Sequence, residues 1–466
     1  MDAVDKHCLS EFGRFLFNHT KRKVTHVKSL KSAQQRVFLL TIEQSDNNQV
    51  ESSANYRSSE LKSFLNAVED GIVILRVWRG SARWWNLNLN TEESCSKLAR
   101  AEVAGYRLAR RVFESQRVQC VSLMKKYPIN IPEVLHFQPD EGSESGNSKP
   151  WAVFSYAKQM KEIEVDKTCW EFSDKFVNEM VKKRHEFGFE EPHPRHGRVC
   201  VADALEYALQ VLTSVVLPMH AFFFSHFSSN RGEVKFTTNA RMVDQEIAAL
   251  VTNCDAINAR EGFTYNDMLC KHRHIVVYLT NKRPHEDRDD YQINQVISIL
   301  GECLRQLSLE WASLEKNNSL PPVLCHLDLQ PQNMILFQLK KDRGKIPTIA
   351  SVLDWEESCY ADPRFEILII CRKVVANREQ ADLIWEHYAK EIQRFGMSKH
   401  SMGPIEPWLK LEAVHSLMSM LLQGMDLQGG GRNPWEEKPD LWRKISRELS
   451  RLKNDLGWAF CSIDPL

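Results

Sequence analysis

Residues 323–336 read VLCHLDLQPQNMIL, and residues 352–358 read VLDWEES. Together they set His326, Asp328, Asn333 and Asp354 in a fixed order: a carboxylate, a carboxamide five positions later, and a second carboxylate after an apolar run. Val323–Cys325, MILFQL and TIASVL read as short strands, the last two joined by a turn at KKDRGK, so the polar residues stand at strand ends. Pro331 fixes the course of the loop between Asp328 and Asn333. A base that can orient a hydroxyl, followed by oxygen ligands suited to a hard divalent cation, is what phosphoryl transfer asks of a protein. A bare His-x-Asp also fits a polar turn beside a hairpin. The full spacing, with the hairpin and the second Asp behind it, is more specific.

The residues before this motif read first as strands. THVKSL and RVFLLTIE flank a short turn at Lys31 to Gln35, which contains no glycine. The polar stretch 44–63 reads as a surface insertion, and GIVILRVWRG resumes the strand pattern. A helix follows, opened by Asn90 with Glu93 as a capping box, and Leu98, Gly105, Tyr106, Ala109 and Phe113 form one stripe on it. Glu102 lies inside that stripe, where a charge requires a partner. PEVLHFQPD and WAVFSYA then form a hairpin around a Gly/Ser-rich turn. From about Lys158 the pattern is mostly helical. The strongest helix spans Tyr291 to Leu314, and Gly301 within it predicts a close packing contact. Asp362-Pro363 starts another helix, with Asp as N-cap and Pro at the first helical position.

With 466 residues, the chain is long enough for two unequal lobes around one cleft. Lys+Arg and Asp+Glu both number 61, so the net charge is zero and gives no support for a nucleic-acid partner. None of the 12 cysteines forms a CxxC pair, and no leader is visible in residues 1–23, which read as a weak amphipathic helix followed by a basic run. Reduced thiols and a cytoplasmic setting are expected. The most apolar stretch, Ala204 to Phe227, is interrupted by Glu206, Gln210, Pro218 and His220, so no membrane span is expected.

HLDLQPQN with LDWEE resembles the aminoglycoside phosphotransferase and choline kinase group, small-molecule relatives of the protein kinases. The downstream ADPRFE is similar to that group's GDP segment. The resemblance is sharp from Leu324 to Glu366, looser over Val24–Ala157 and thin between Lys158 and Tyr291. It implies an α+β, two-lobed, protein-kinase-like fold. Residues 1–157 would form the nucleotide-binding sheet lobe, with 1–23 as a flanking helix, and 158–466 the helical lobe. The catalytic loop would be 324–337 and the metal-binding segment 348–366.

It implies ATP or GTP with Mg²⁺, Asp328 as catalytic base, and Asn333 and Asp354 as metal ligands. His326 would brace the loop. Arg76 falls where the family holds phosphate, and Glu102 where its helical partner belongs. Arg79, on the opposite face of the strand, competes with Arg76. The hinge from Phe154 through Ser155, Tyr156 and Ala157 would meet the base through backbone groups.

Only ESCYA separates DWE from Asp362, which leaves no room for the peptide platform of a protein kinase. The expected acceptor is therefore a hydroxyl of a small molecule such as an amino sugar, an amino alcohol or a sugar. Trp408, Trp435, Asp426 and Glu436 suit a cationic acceptor, or else the tryptophans are core and the acids solvated. In FGFEEPHPRHGR, His193 and His196 lack a third metal ligand; a Pro-rich loop fits better, with Arg195 and Arg198 suited to an anionic acceptor. A catalytically inactive kinase-shaped binding protein is the alternative, and a protein kinase ranks below it.

Overall fold

The computed structural model describes residues 3–30, 36–43, 59–78, 91–119, 129–139, 149–156, 197–228, 245–251, 262–281, 288–314, 320–329, 333–337, 348–375, 378–424, 439–454 and 456–457. Strands β1 (Val24–Leu30), β2 (Arg36–Ile42), β3 (Ile72–Val77), β4 (Val134–Gln138) and β5 (Trp151–Ser155) form one antiparallel sheet in the order β1-β2-β3-β5-β4. Side chains alternate across it. Val73, Leu75 and Val77 of β3, with Trp151 and Val153 of β5, point into one cluster; Ile74, Ala152 and Phe154 point into the other. Arg76 lies between Leu75 and Val77, so the pleat turns it toward the second face.

Two helices cover the first face. Helix α1 (Ala3–Thr20) buries Cys8, Phe12 and Leu16, four residues apart on one stripe. Helix α2 (Ser59–Glu69) buries Phe64 and Val68 in the same cluster. This corrects the expectation of a surface insertion over 44–63. Its last five residues, from Ser59, open a helix whose apolar positions lie just beyond the polar stretch. Each large apolar side chain so buried contributes about 1.5–3 kcal/mol.

Helix α3 (Thr91–Gln119) covers the second face, and its predicted stripe of Leu98, Tyr106, Ala109 and Phe113 is buried. Gly105 sets how close α3 comes to the rest of the molecule. A Cβ there would collide with Ser358 Oγ and press on Trp355 Cβ at 3.3 Å. A bare backbone at 105 thus lets α3 rest on the segment after Asp354.

The remaining described chain is mostly helical, so an antiparallel sheet with its helices is followed by a mainly helical part, the α+β arrangement that the sequence predicts. The expected lobe boundary at 157/158 lies outside the described residues. The predicted helix at Tyr291 spans Arg288–Leu314. The close contact expected at Gly301 does not occur among the described residues, where a Cβ would meet nothing within 4 Å. Residues 197–228 are helical, with a π turn at Leu212–Val216 in which Leu217 N–H donates to Leu212 O. The wide turn ends just before Pro218, which has no N–H to continue the ladder. Ala204–Ser225 is long and apolar enough to cross a membrane, but 56% of its apolar window is buried inside the fold. Helices Arg364–Lys373, Glu406–Gly424 and Pro439–Asn454 are joined by a buried ion network of Arg372 and Arg451 with Glu412 and Glu448. The seven described cysteines are free thiols.

Two small antiparallel pairs carry the motif. Strand β6 (Val323–Cys325) pairs with β9 (Cys359–Ala361), and β7 (Met334–Phe337) with β8 (Thr348–Val352). Asn130 N–H donates to Ala350 O at 2.8 Å, tying the segment before β4 to β8.

Candidate active site

The turn after β6 is held from below by a buried carboxylate. Leu327 has φ +61, a left-handed backbone that disfavours an L side chain by about 1–2 kcal/mol. Glu366, fully buried on the helix Arg364–Lys373, accepts the N–H groups of His326 and Leu327, the latter at 3.3 Å from either carboxylate oxygen. The helix itself is set by Asp362, whose Oδ1 accepts Arg364 N–H at 3.0 Å, while Pro363 already has helical φ −58 and ψ −21. Asp362 and Pro363 thus act as predicted, with regular helix assigned from Arg364.

His326 ties the loop to the end of β8. Its Nδ1 accepts Asp328 N–H at 3.2 Å, which assigns the ring proton to Nε2, and Nε2 donates to Leu353 O at 2.8 Å. Asn333 closes the other end. Its Nδ2 donates to Asp328 Oδ2 at 2.5 Å and to Asp328 O at 3.0 Å, and its carbonyl accepts Leu353 N–H at 2.8 Å. The carboxamide oxygen is the end of Asn333 turned away from Asp328.

Asp354 also has a left-handed backbone, φ 60 and ψ 66. Its N–H donates to the hydroxyl of Tyr106 at 2.9 Å, and its Oδ1 accepts Arg76 Nη2 at 2.8 Å across 278 residues of sequence. The same nitrogen donates to Glu356 Oε2 at 2.9 Å, and Arg76 Nε lies 3.1 Å from Glu102 Oε2. Trp78, buried at the end of β3, donates its indole N–H to Glu102 Oε2 at 2.7 Å. Burial alone would lower the Arg76 pKa, but the carboxylates of Glu102, Asp354 and Glu356 more than offset it and hold the guanidinium charged. Burial, helped by the charge of Asp354, pushes the Glu356 carboxyl up to about 8. Burial also raises the Tyr106 phenol far above its ordinary value, keeping it a neutral hydrogen-bonding group.

The carboxylates here could offer oxygen donors to a hard divalent cation. The carboxylates of Glu102, Asp354 and Glu356 each bring an oxygen within 4.8 Å of the others, and a positively charged nitrogen of Arg76 already sits between two of them. An all-oxygen donor set of this kind suits Mg²⁺ rather than zinc. Another group, His220, Cys325 and Glu366, lies beneath the loop. There the Tyr388 hydroxyl meets His220 Nδ1 at 2.7 Å, and Glu366 is engaged with backbone amides.

Of the residues expected from sequence, Arg76, Glu102 and Asp354 come together in one cluster, and His326, Asp328 and Asn333 in the loop beside it. The ring of His326 stands 4.5 Å from Trp355, the residue after Asp354. At the hinge, Ser155 is already engaged. Its N–H donates to Glu133 O at 2.9 Å, and its Oγ accepts Glu133 N–H at 2.8 Å. Tyr156 is 38% exposed, and Ala157 lies outside the described residues. Trp408 is core, with a ring 4.7 Å from the guanidinium of the chain's own Arg364. Arg79, Pro331, His193, Arg195, His196, Asp426, Trp435 and Glu436, together with the side chain of Arg198, lie outside the described residues. Sequence reasoning missed the polar roles of Trp78, Tyr106, Glu356 and Glu366. Glu356 and Glu366 lie within motifs that the sequence singles out, DWE and ADPRFE, whereas the two aromatic residues read simply as apolar.

Residues 273–399 match the sequence profile of the phosphotransferase enzyme family. No curated protein matches the chain by sequence. Among solved structures, the chain is similar to an aminoglycoside phosphotransferase in complex with GDP and kanamycin, at 10% identity and TM-score 0.42, covering 96% of this chain and 98% of that one. It is similar to an ethanolamine kinase from Plasmodium vivax at 10% identity and TM-score 0.43, covering 92% and 83%. It is also similar to a macrolide 2'-phosphotransferase from Brachybacterium faecium at 11% identity and TM-score 0.38, covering 96% and 98%. Asp328, Asn333, Asp354 and Glu366 all lie within the residues that match this family profile, and the match falls on the group that the motif resembles.

Proposed function

We propose that this protein transfers the γ-phosphate of ATP, or of GTP, to a hydroxyl of a small molecule. The observation that carries the proposal is the meeting of Arg76 from the sheet lobe with Asp354 from the helical lobe, beside a loop that pairs Asp328 with Asn333. In this reading Asp328 orients the acceptor hydroxyl, and its carboxylate takes up the proton as the new bond to phosphorus forms and the bond to the β–γ bridging oxygen breaks, releasing the nucleoside diphosphate. Asn333 steadies that carboxylate through its Nδ2, and His326 fixes the loop through the Asp328 amide and Leu353 O. Arg76, oriented by Glu102, offers donors to the phosphate oxygens. Asp354 and the carboxamide oxygen of Asn333 would hold Mg²⁺, which neutralises the charge of the transferred phosphoryl group. At the hinge, the nucleotide base is left to the backbone around Tyr156.

A small acceptor is favoured by the short interval after Asp354. A 3-10 turn, Trp355–Glu357, leads straight into β9 and then into the helix at Arg364, all of it described and packed. No segment there could hold a peptide. An amino sugar, an amino alcohol or a sugar is within this reading.

The test is a metabolite-library screen that follows nucleotide consumption in the presence of Mg²⁺, with Asp328→Asn as the blank. Asp328→Asn is expected to lose turnover by about 10²–10⁴-fold, the range of general-base contributions, while still binding nucleotide. The proposal fails if the wild-type protein shows no Mg²⁺-dependent thermal shift with any nucleotide.

A further inference from the structure

Asp354 is one of three non-glycine residues with positive φ among the described residues. An L residue held in this region needs surrounding structure that over-determines it. On its side-chain end, Arg76 Nη2 grips Oδ1 at 2.8 Å. On its backbone end, the N–H points at the hydroxyl of Tyr106, 2.9 Å away. Tyr106 lies one helical turn after Glu102 on α3, on the face that Gly105 lets approach Trp355 and Ser358. Its ring is packed 4.8 Å from Phe154 of β5 and 6.1 Å from Trp355. The hydroxyl therefore has little freedom to leave. The apolar stripe of α3 explains the ring of Tyr106, but a Phe would serve that purpose equally; the hydroxyl is what reaches the backbone of Asp354.

We propose that Tyr106 is a positioning residue: its hydroxyl holds the Asp354 backbone in the left-handed conformation that aims the carboxylate at the cation site, so that the placement of α3 sets metal binding in the helical lobe. This rests on the phosphotransferase reading above. Among the described residues, the hydrogen bond of the Tyr106 hydroxyl runs to the Asp354 amide and not to the loop of Asp328. Removing its hydroxyl should therefore act on the metal and leave acceptor recognition alone.

The experiment compares wild type, Tyr106→Phe and Trp385→Phe. The last removes a buried indole donor to Gly403 O, 3.0 Å long and outside both the Arg76 cluster and the Asp328 loop, and controls for general loss of stability. Mn²⁺ binding in the presence of a non-hydrolysable ATP analogue is measured by electron paramagnetic resonance, and the Mg²⁺ dependence of turnover is measured in parallel. Tyr106→Phe is expected to weaken Mn²⁺ binding about tenfold, the worth of one buried hydrogen bond, and to raise the half-saturating Mg²⁺ similarly. The acceptor KM and the behaviour of Trp385→Phe should stay at wild-type values. Equal Mn²⁺ affinity in wild type and Tyr106→Phe overturns the proposal and leaves the phosphotransferase reading intact. A wild-type protein that binds no Mn²⁺ with nucleotide overturns both. If Tyr106→Phe does not fold, hydrogen exchange on the wild type decides instead. The Asp354 amide is expected to be protected by a factor of at least ~100, and free exchange at that amide overturns the proposal.

Discussion

Glu366→Gln is a severe test of how the Asp328 loop is held, because it changes one oxygen to nitrogen at constant shape. In the wild type the carboxylate accepts from both His326 N–H and Leu327 N–H, with Leu327 at φ +61. A hydrogen bond to a charged acceptor contributes about 1.5–3 kcal/mol, and a buried donor left unpaired costs about 1–3 kcal/mol. Glutamine keeps one oxygen but turns an NH₂ group toward a backbone donor. Both donors reach Oε2, so the remaining oxygen can still accept from them, but both bonds weaken to neutral ones and the NH₂ group set against Leu327 N–H loosens the left-handed turn. The expected loss of stability is about 3 kcal/mol. Asp328 follows Leu327 directly, so relaxation of that turn moves the carboxylate from its place against Asn333. A displacement of about 1 Å lowers kcat on the order of 100-fold. Urea unfolding gives the first quantity, and Mg²⁺-dependent nucleotide turnover with the acceptor found by screening gives the second. Because these hydrogen bonds of Glu366 run to the backbone of the Asp328 loop, nucleotide affinity should change little. Wild-type stability and turnover in Glu366→Gln would refute the reasoning, and so would a loss confined to nucleotide affinity.

Two further expectations concern charge. In Arg76→Lys a single ammonium replaces a guanidinium that serves Glu102 through Nε and both Asp354 and Glu356 through Nη2; nucleotide affinity by calorimetry should fall about tenfold or more, and an unchanged affinity would argue that Arg76 does not face the phosphates. The fold should also be sensitive to mild acid. Burial lowers the His220 pKa to about 3, and burial with the neighbouring His415 lowers that of His272 well below its ordinary value, so both are neutral in the fold. Below about pH 6.5 the unfolded chain takes up protons that the folded chain refuses, so stability falls with pH by about 1.4 kcal/mol per unit for each histidine. Between pH 7.5 and 5.5 urea unfolding should report a loss of about 3 kcal/mol from the pair, roughly halved in a His220→Asn variant; a flat profile counts against it. At lower pH Glu412, held down at about 2 by Arg372 and Arg451 against the opposing effect of its burial, adds to the loss as pH falls from 4.5 toward 2. Glu448, whose carboxyl burial pushes up, works the other way.

What could be read from the sequence is what depends on near neighbours. The alternation of RVFLLTIE and VILRVW marks β2 and β3, because a pleat imposes period two on whatever covers its faces. The stripe on α3 marks a buried face, and the charge within it, Glu102, announces a partner. The hairpin of β7 and β8 fixes the distance between Asn333 and Asp354 because both stand at the ends of its strands. Where the reading failed, the deciding contact came from far along the chain or from open space. Ser59–Ser63 look like loop residues, and only Phe64 and Val68 packing on the outer face of the sheet makes them the start of α2. Gly301 suggests a close approach, but among the described residues nothing lies within 4 Å of where its Cβ would stand. The hydrogen bonds of Ser155 with Glu133 could not be foreseen either, since they depend on how β4 and β5 register.

The same distinction explains why the motif gave the kind of chemistry but not the state of the site. Asp328 and Asn333 are five residues apart and find each other through one loop. The charge balance around Asp354 is assembled from β3, α3 and the DWE segment, which lie far apart in the chain. Three carboxylates gather on one guanidinium, an excess of negative charge that burial makes costly. Burial and the Asp354 charge already raise the Glu356 carboxyl, as expected where more acid is present than Arg76 alone can neutralise. In the proposed reading, a divalent cation carried in with a nucleotide would relieve that excess, while the phosphates would offer Arg76 a replacement for the carboxylates it holds. Nucleotide and metal should therefore bind with positive coupling: each makes the other's partners available. A double titration, with nucleotide affinity measured across Mg²⁺ concentrations in wild type and in Arg76→Lys, would show whether the coupling passes through this guanidinium.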